Sequence, residues 1–307
     1  MAFTAKDVQM LREKTGVGMM ECKKALTAAD GDMEKAVDLL REKGLAAAAK
    51  KATRIAAEGA VYAFVDEDKK VGVVVEVNAE TDFAAKSDKF QAFVKLVAEV
   101  IADKAPADVE ALLALPCGTS ESVAEALREQ VLVIGENLSI RRFVRYEGDV
   151  VAYVHGAGRI GVLVKFDADA TMAGSDVLKA CGKDVAMQIA ALNAPYLSQE
   201  TVPAADVEKE REITVAQIQA DPKNATKPEQ IIQKMVDGRL NKFFKENCLL
   251  QQEFVKDSSM TVAQYIASEA KNAGGAMTLV DYVRFEKGEG LQKREDNFAD
   301  EVAAMAK

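Results

Sequence analysis

The sequence predicts an α+β protein built from two related halves, and three observations carry that prediction. First, Val71, Val73, Val75 and Val77 alternate with Gly72, Val74, Glu76 and Asn78, the period of a strand with one well-buried face. Phe90, Phe93, Val94, Val97 and Ile101 then recur at helical spacing. Second, the chain repeats itself. Glu58-Gly-Ala-Val-Tyr-Ala-Phe-Val65 lies over Glu147-Gly-Asp-Val-Val-Ala-Tyr-Val154, Val71-Gly-Val-Val-Val75 over Ile160-Gly-Val-Leu-Val164, and Ala105-Pro106 over Ala194-Pro195. All three share a displacement of 89 residues without a gap (58 to 147, 71 to 160, 106 to 195). Third, Ser122–Leu127 matches Thr261–Ile266 and Phe143–Glu147 matches Tyr282–Glu286, both displaced by 139 (122 to 261, 143 to 282). The repeated unit is a β-hairpin, one or two helices and a returning strand, so each copy sets an antiparallel sheet against helices.

The chain starts with three short helices. Thr4 caps the first, which carries Val8, Met10 and Leu11. Thr15-Gly-Val-Gly18 is a turn before Met19–Leu26, and Asp30-Gly-Asp32 breaks and recaps before Met33–Leu40, with Gly44 in the C-cap role. Met19 and Met20 read equally as a docking surface for a partner helix or as filling of a small core. Ala46–Ala57, with Lys50, Lys51 and Arg54, reads as a helical connector.

Between the first strand pair and its helix stand Glu80, Thr81, Asp82 and Phe83. Thr81 and Asp82 suit a helix N-terminus. A Phe after a strand ordinarily anchors a core. At a displacement of 89 the second copy has Ala170, Thr171 and Met172. That asymmetry favours a role for Asp82 and Phe83 beyond packing, although Met172 would also fill a core gap. The second copy carries 50 more residues than the first, the difference between 139 and 89. This insert, about 204–247, reads as an αα-hairpin, an antiparallel coiled coil around Asp221–Pro228. Val207, Ile213 and Ile218 mark one arm; Ile231, Ile232, Met235, Leu240, Phe243 and Phe244 mark the other. Arms this short are marginal in water, so the hairpin is expected to pack against something. Phe298–Met305 reads as a short amphipathic C-terminal helix.

Composition closes off several chemistries. The 307 residues are 49% hydrophobic and 29% charged, with a net charge of −9; the pI is near 5.0. An acidic chain is poorly suited to wrapping a phosphate backbone, so no direct nucleic-acid partner is expected. No apolar run is long enough to cross a membrane, and the N-terminus has no hydrophobic signal core. Cys22, Cys117, Cys181 and Cys248 are scattered without a CxxC pair, which fits a reducing cytoplasm. His155 is the only histidine, so multi-histidine metal sites are excluded and any His-based nucleophilic catalysis must converge on it. A lone His at a strand end is ordinarily a surface or packing residue. No GxxxxGKS/T loop and no GxGxxG after a strand is present, so the chain is not expected to bind a nucleotide itself.

Four stretches, Thr15-Gly-Val-Gly-Met-Met-Glu-Cys-Lys-Lys-Ala-Leu26, Asn78-Ala-Glu-Thr-Asp-Phe83, Ile134-Gly-Glu-Asn-Leu-Ser-Ile-Arg-Arg142 and Arg284-Phe-Glu-Lys-Gly-Glu-Gly290, together resemble the bacterial translation elongation factor Ts family, in order along nearly the whole chain. The resemblance implies an N-terminal domain similar to ubiquitin-associated modules with its linker (1–55), core subdomains at 56–146 and 147–290, the coiled-coil excursion, and a C-terminal helical module (291–307). It implies a guanine-nucleotide exchange factor for elongation factor Tu that binds the GDP form, dislocates its Mg²⁺ and promotes GDP release until GTP binds. It implies no cofactor and no covalent catalysis. The family's Thr-Asp-Phe-Val element maps onto Thr81, Asp82, Phe83 and Ala84, with Ala where Val is usual and so less contact there. Positions matching Arg12, Met19, Met20 and Lys23 would dock on the GTPase, and His155 falls at a family histidine near the interface. Three other readings stand beside it. One is a ubiquitin-associated-type adaptor without exchange activity. Another is an enzyme using Glu76, Glu80 and Asp82 as paired carboxylates. The last, compatible with exchange, is a homodimer formed through the coiled coil.

Overall fold

The computed structural model describes residues 3–224 and 227–292. The chain starts with α1 (Ala5–Thr15), α2 (Met19–Ala28) and α3 (Met33–Lys51). Thr4 closes a capping box: its hydroxyl accepts the Asp7 N–H, and the Asp7 carboxylate accepts the Thr4 N–H. Asp32 caps α3 by accepting the Lys35 N–H at 3.0 Å. Val8, Leu11, Cys22, Leu26, Ala36 and Leu40 fill the small core. Met10, expected on the buried stripe, is exposed, as are Met19 and Met20. Gly44 does not end α3, which runs on to Lys51. It is buried instead where α3 crosses a later helix, and a Cβ there would lie 3.6 Å from the Arg128 carbonyl oxygen. That is ordinary van der Waals distance, so Gly44 marks a helix–helix contact rather than a helix end.

The first half consists of β1 (Glu58–Asp66), β2 (Val71–Ala79), α4 (Asp82–Ala85), α5 (Asp88–Lys104), α6 (Val109–Leu113), α7 (Val123–Ile134) and β3 (Leu138–Glu147). The second has β4 (Asp149–His155), β5 (Ile160–Ala168), α8 (Asp176–Leu192), α9 (Ala204–Ala220), α10 (Glu229–Asn247), the short β6 (Glu253–Phe254) and β7 (Asp257–Thr261), α11 (Val262–Asn272) and β8 (Met277–Glu286). Each half forms an antiparallel three-stranded sheet, ordered β1-β2-β3 and β4-β5-β8. The displacement of 139 holds for α7 and α11 (123 to 262) and for β3 and β8 (138 to 277). The displacement of 89 holds for the strand pairs but not for the helices between them. Helices α5 and α8 start 88 apart (88 to 176), so the second copy lacks one residue between strand and helix.

Val71, Val73, Val75 and Val77 face α5 through Phe90, Phe93, Val94, Val97 and Ile101. Val162, Val164 and Phe166 face α8 through Leu178, Cys181, Val185 and Ile189. The opposite faces of the two sheets meet each other, through Val61, Val74, Val150, Leu163 and Phe285. The order of layers is therefore helix, sheet, sheet, helix. The strand expected to bury one face buries both, and all nine residues of β2 are buried. Gly72 and Gly161, counterparts in the two copies, sit where the sheets cross. A Cβ on Gly72 would lie 2.4 Å from Val150 Cγ1, and one on Gly161 2.4 Å from Val61 Cγ1.

Helices α9 and α10 fold back on each other along Ile218, Ile232, Val236, Leu240 and Phe244, the expected hairpin with its own internal seam. Ile213 and Ile231, expected in that seam, are exposed, and Thr214 is buried in their stead. The helix expected at Phe298–Met305 lies outside the described residues.

Candidate partner-binding turn after the second strand

Strand β2 is fixed on both faces and ends at Ala79. The next residues are held by a set of short hydrogen bonds. Glu80 Oε1 accepts the Asn137 N–H at 2.6 Å and lies 3.4 Å from Arg54 Nη1. Thr81 is extended (φ −128°, ψ 157°), and its Oγ1 accepts the Ala84 N–H at 3.2 Å, the cap that starts the single turn α4. The Thr81 hydroxyl donates to Glu136 Oε1 at 2.6 Å and its N–H to Glu136 Oε2 at 3.0 Å. Ala84 and Ala85 pack into the core under the turn. Ser87 then caps α5, accepting the Phe90 N–H at 3.3 Å while donating to the Ala84 carbonyl at 2.7 Å.

This leaves Phe83 outside. It is 82% exposed, more than any other exposed large apolar side chain of the described residues. The ordinary expectation of a core anchor is overturned, because the cap at Thr81 directs position 84 inward and position 83 outward. Burying a benzyl ring would contribute about 1.5–3 kcal/mol, and the free chain forgoes it. Asp82 pairs with Lys86 at 2.6 Å; the Lys86 ammonium holds its carboxyl below the usual range. Ala84, by contrast, turns its methyl into the core, so Phe83 is the exposed residue of this element, with Thr81 and Asp82 half-buried beside it.

Arg12, Met19, Met20 and Lys23 are all exposed on α1 and α2. Lys89, in the first turn of α5, donates to the Gly16 carbonyl at 2.8 Å, and Arg41 pairs with Glu125 at 3.4 Å. The glycine turn before Met19 is thus tied to the helix that α4 leads into. His155 lies on the other sheet, exposed at the end of β4, with Nδ1 2.9 Å from the Tyr153 hydroxyl. No hydrogen bond between described residues links it to the Phe83 turn.

The three carboxylates weighed as a catalytic set do not converge. Glu76 is fully buried, bound by Arg141 Nη1 (3.0 Å), Arg142 Nε (2.6 Å), Asn78 Nδ2 (3.2 Å) and the Gly288 N–H (2.8 Å). A β-bulge makes this possible: Glu76 pairs with Arg142 and Val77 with Ile140, leaving Arg141 as the extra residue. Consecutive arginines, which a regular strand would send to opposite faces, both reach one carboxylate. Burial pushes the Glu76 carboxyl up, but the Gly288 N–H and the two guanidiniums, with Asn78, outweigh it and hold the pKa below the usual carboxylate range. Glu76 is therefore a structural joint, Glu80 fastens a turn, and Asp82 pairs with a lysine. Among the described residues no group of three or more His, Cys, Asp or Glu could hold a metal ion, and no helix is long and apolar enough to cross a membrane.

The sequence reading did not single out Glu136 and Asn137, which fasten the turn; they entered only within a longer motif. A residue-by-residue comparison with Gly275 and Ala276, their counterparts at a displacement of 139, would have marked them.

Comparison with known proteins bears on the whole chain. The family model described as Elongation factor TS matches residues 80–289. Elongation factor Ts of Clostridium perfringens is 50% identical over 306 residues, covering 99% of each chain. Elongation factor Ts of Syntrophotalea carbinolica is 50% identical over 312 aligned positions, covering 100% of each, and that of Clostridium botulinum 48% over 304, covering 98% of each. With matches of this identity running the full length of the chain, and with the family model covering the chain from the turn after β2 to just past β8, the protein belongs to the elongation factor Ts family.

Proposed function

We propose that the protein is a guanine-nucleotide exchange factor for elongation factor Tu, acting in translation elongation, and that Phe83 is the side chain it drives into the GTPase. The observation that carries this reading is the exposed ring on a turn fixed to a strand buried on both faces. A flexible loop would yield on contact; this one is backed by the sheet. Mg²⁺ in a GTPase bridges nucleotide phosphates to protein oxygens and demands near-ideal octahedral geometry, so a small displacement of its surroundings weakens it severely. Phe83, with Thr81 and Asp82 beside it, shifts those surroundings, and contacts from Arg12, Met19, Met20 and Lys23, with His155, offset the cost. Ala84 backs the turn from within the core instead of entering the partner. Coupling is reciprocal: a factor that weakens GDP binding is itself bound more weakly when nucleotide is present, so incoming GTP releases it. The chain does no covalent chemistry of its own; it acts on another protein's site.

Release of fluorescent GDP from elongation factor Tu tests this. The native chain should accelerate release strongly. Phe83→Ala should lower the maximal rate about thirtyfold, the ~2 kcal/mol scale of an interface hot spot, while folding as well as the parent. Equal release by native and Phe83→Ala proteins would refute the role given to Phe83. No acceleration by the native chain would favour an adaptor without exchange activity.

A further inference from the structure

The two copies hold the corresponding turns differently. In the second copy one residue, Asp169, does everything. Its Oδ2 accepts the Ala276 N–H at 2.7 Å, and its Oδ1 accepts those of Thr171 and Met172 at 2.9 and 3.0 Å. In the first copy the extra residue divides these duties. Glu80 accepts the Asn137 N–H, as Asp169 accepts that of Ala276, and Thr81 caps the Ala84 N–H, as Asp169 caps that of Met172. The division leaves Thr81 with an N–H and a hydroxyl proton to satisfy, and Glu136 takes both.

Glu136 has no equivalent in the second copy. Its counterpart there is Gly275, where even a Cβ would lie 2.7 Å from Met172 Cγ, 3.0 Å from Asp169 Oδ1 and 3.1 Å from Thr171 Cβ. The turn of the second copy closes over a glycine and bears Thr171 at its outer position. The turn of the first copy is braced by a carboxylate and bears Phe83. The brace is itself supported: Gly135 ends α7 with φ 88°, its carbonyl accepts from Lys51 Nζ, and Asn137 Nδ2 donates to the Arg54 carbonyl at 2.8 Å. The strut thus runs from the linker behind α3, through residues 135–137, to the turn that carries the ring.

We infer that Glu136 is a positioning residue for exchange: by gripping the Thr81 N–H and hydroxyl together, it fixes the direction in which Phe83 is presented. The inference rests on the role proposed for Phe83. A ring that must press on another protein loses effect if its support gives, and two charge-assisted hydrogen bonds to one residue remove that compliance.

The test combines exchange kinetics with amide hydrogen exchange of the free protein. Glu136→Ala should lower the maximal rate of GDP release from elongation factor Tu about tenfold, ~1.4 kcal/mol, with the half-saturating concentration changed less than about twofold. Glu136→Gln, which keeps the length and an acceptor, should recover most of the rate. In a Phe83→Ala background Glu136→Ala should add almost nothing, because the group it positions is gone. Exchange of the Thr81 and Ala84 amides should quicken in Glu136→Ala while that of the β2 amides stays unchanged. A Glu136→Ala protein with full activity, or an equal loss with and without Phe83, overturns the inference. If Phe83→Ala itself retains full activity, the role of Phe83 fails first and the inference falls with it; the kinetics of the two single variants tell the cases apart.

Discussion

The two halves of the core share a sheet order, a bulge and a pair of crossing glycines, yet they differ at the turn between second strand and helix. There the first has eight residues (80–87) and the second seven (169–175). Aligned at the displacement of the strands, Phe83 falls on Met172, one fully exposed in character and the other fully buried. Aligned by hydrogen bonds, Met172 is the third residue after its cap, as Ala84 is, and both are buried. Phe83 then corresponds to Thr171, and both are exposed. The scaffold sends this position outward in either copy. Phe83 is therefore not a core residue that failed to pack. It is an aromatic placed where folding does not reward one, as the role proposed for it requires.

The largest effect should come from the bulge. Both copies have it at matching places, Glu76/Val77 and Lys165/Phe166, but only the first fills it with a buried carboxylate under two arginines. Glu76→Gln should destabilise the protein by about 3 kcal/mol, because it removes the buried negative charge that Arg141 and Arg142 share; half-buried Lys165→Met should cost less than about 0.5 kcal/mol. Urea unfolding measures both, and equal costs would mean that the bulges are equivalent. The sign of the pH dependence is set by the depressed pKa of Glu76. Its contribution is full above the ordinary carboxylate value, about 4.3, and is lost as pH falls from there through the lower folded value. Glu76→Gln should flatten the acid limb of the stability profile.

Met172→Ala should cost about 2.5 kcal/mol by opening a cavity. Next come the crossing glycines: Gly72→Ala and Gly161→Ala should each cost about 2 kcal/mol, since each methyl meets a valine fixed in the facing sheet. A large difference between the two would break the symmetry of the sandwich. The smallest change belongs to Phe83→Ala, within about 0.5 kcal/mol of the parent by thermal unfolding, despite its effect on exchange. A destabilisation comparable to that of Met172→Ala would contradict the outward placement of Phe83.

Most of the architecture was legible because it rests on local periodicity. The alternation of β2, the stripe of α5, the caps at Thr4 and Thr81, the displacement of 139 and, for the strand pairs, that of 89 match the structure. What periodicity cannot reveal is the identity of the second surface. Val74 and Gly72 read as an outer face until the other sheet covers them, and Gly44 reads as a stop until α7 crosses it. Ile213 and Ile231 look like seam residues because hydropathy does not tell which isoleucine a two-helix hairpin can reach. The one-residue gap was hidden because no matched anchor lies within the helices, whose starts (88 and 176) and left-handed C-caps (Ala105 and Asn193) are both 88 apart. Phe83 was legible as a residue of interest, but its exposure was not. That depends on a hydroxyl cap directing position 84 inward, which is a matter of hydrogen bonds and not of pattern.

The residues that leave β8 return to the start of β1. The Lys287 ammonium meets Glu58, the Lys287 N–H reaches the Arg159 carbonyl, and Gly288 (φ 68°) passes so close to Ala57 that a Cβ would lie 2.2 Å from its carbonyl oxygen. The doubled core is thus nearly an endless loop of backbone, sewn shut at Ala57 and Gly288. A circularly permuted chain, opened at the tip of the α9–α10 hairpin and spliced across that seam by a few residues, would trace the same sheets. The helical domain would still have to enter at Arg54, because Lys51 and Arg54 hold residues 135–137 from that side.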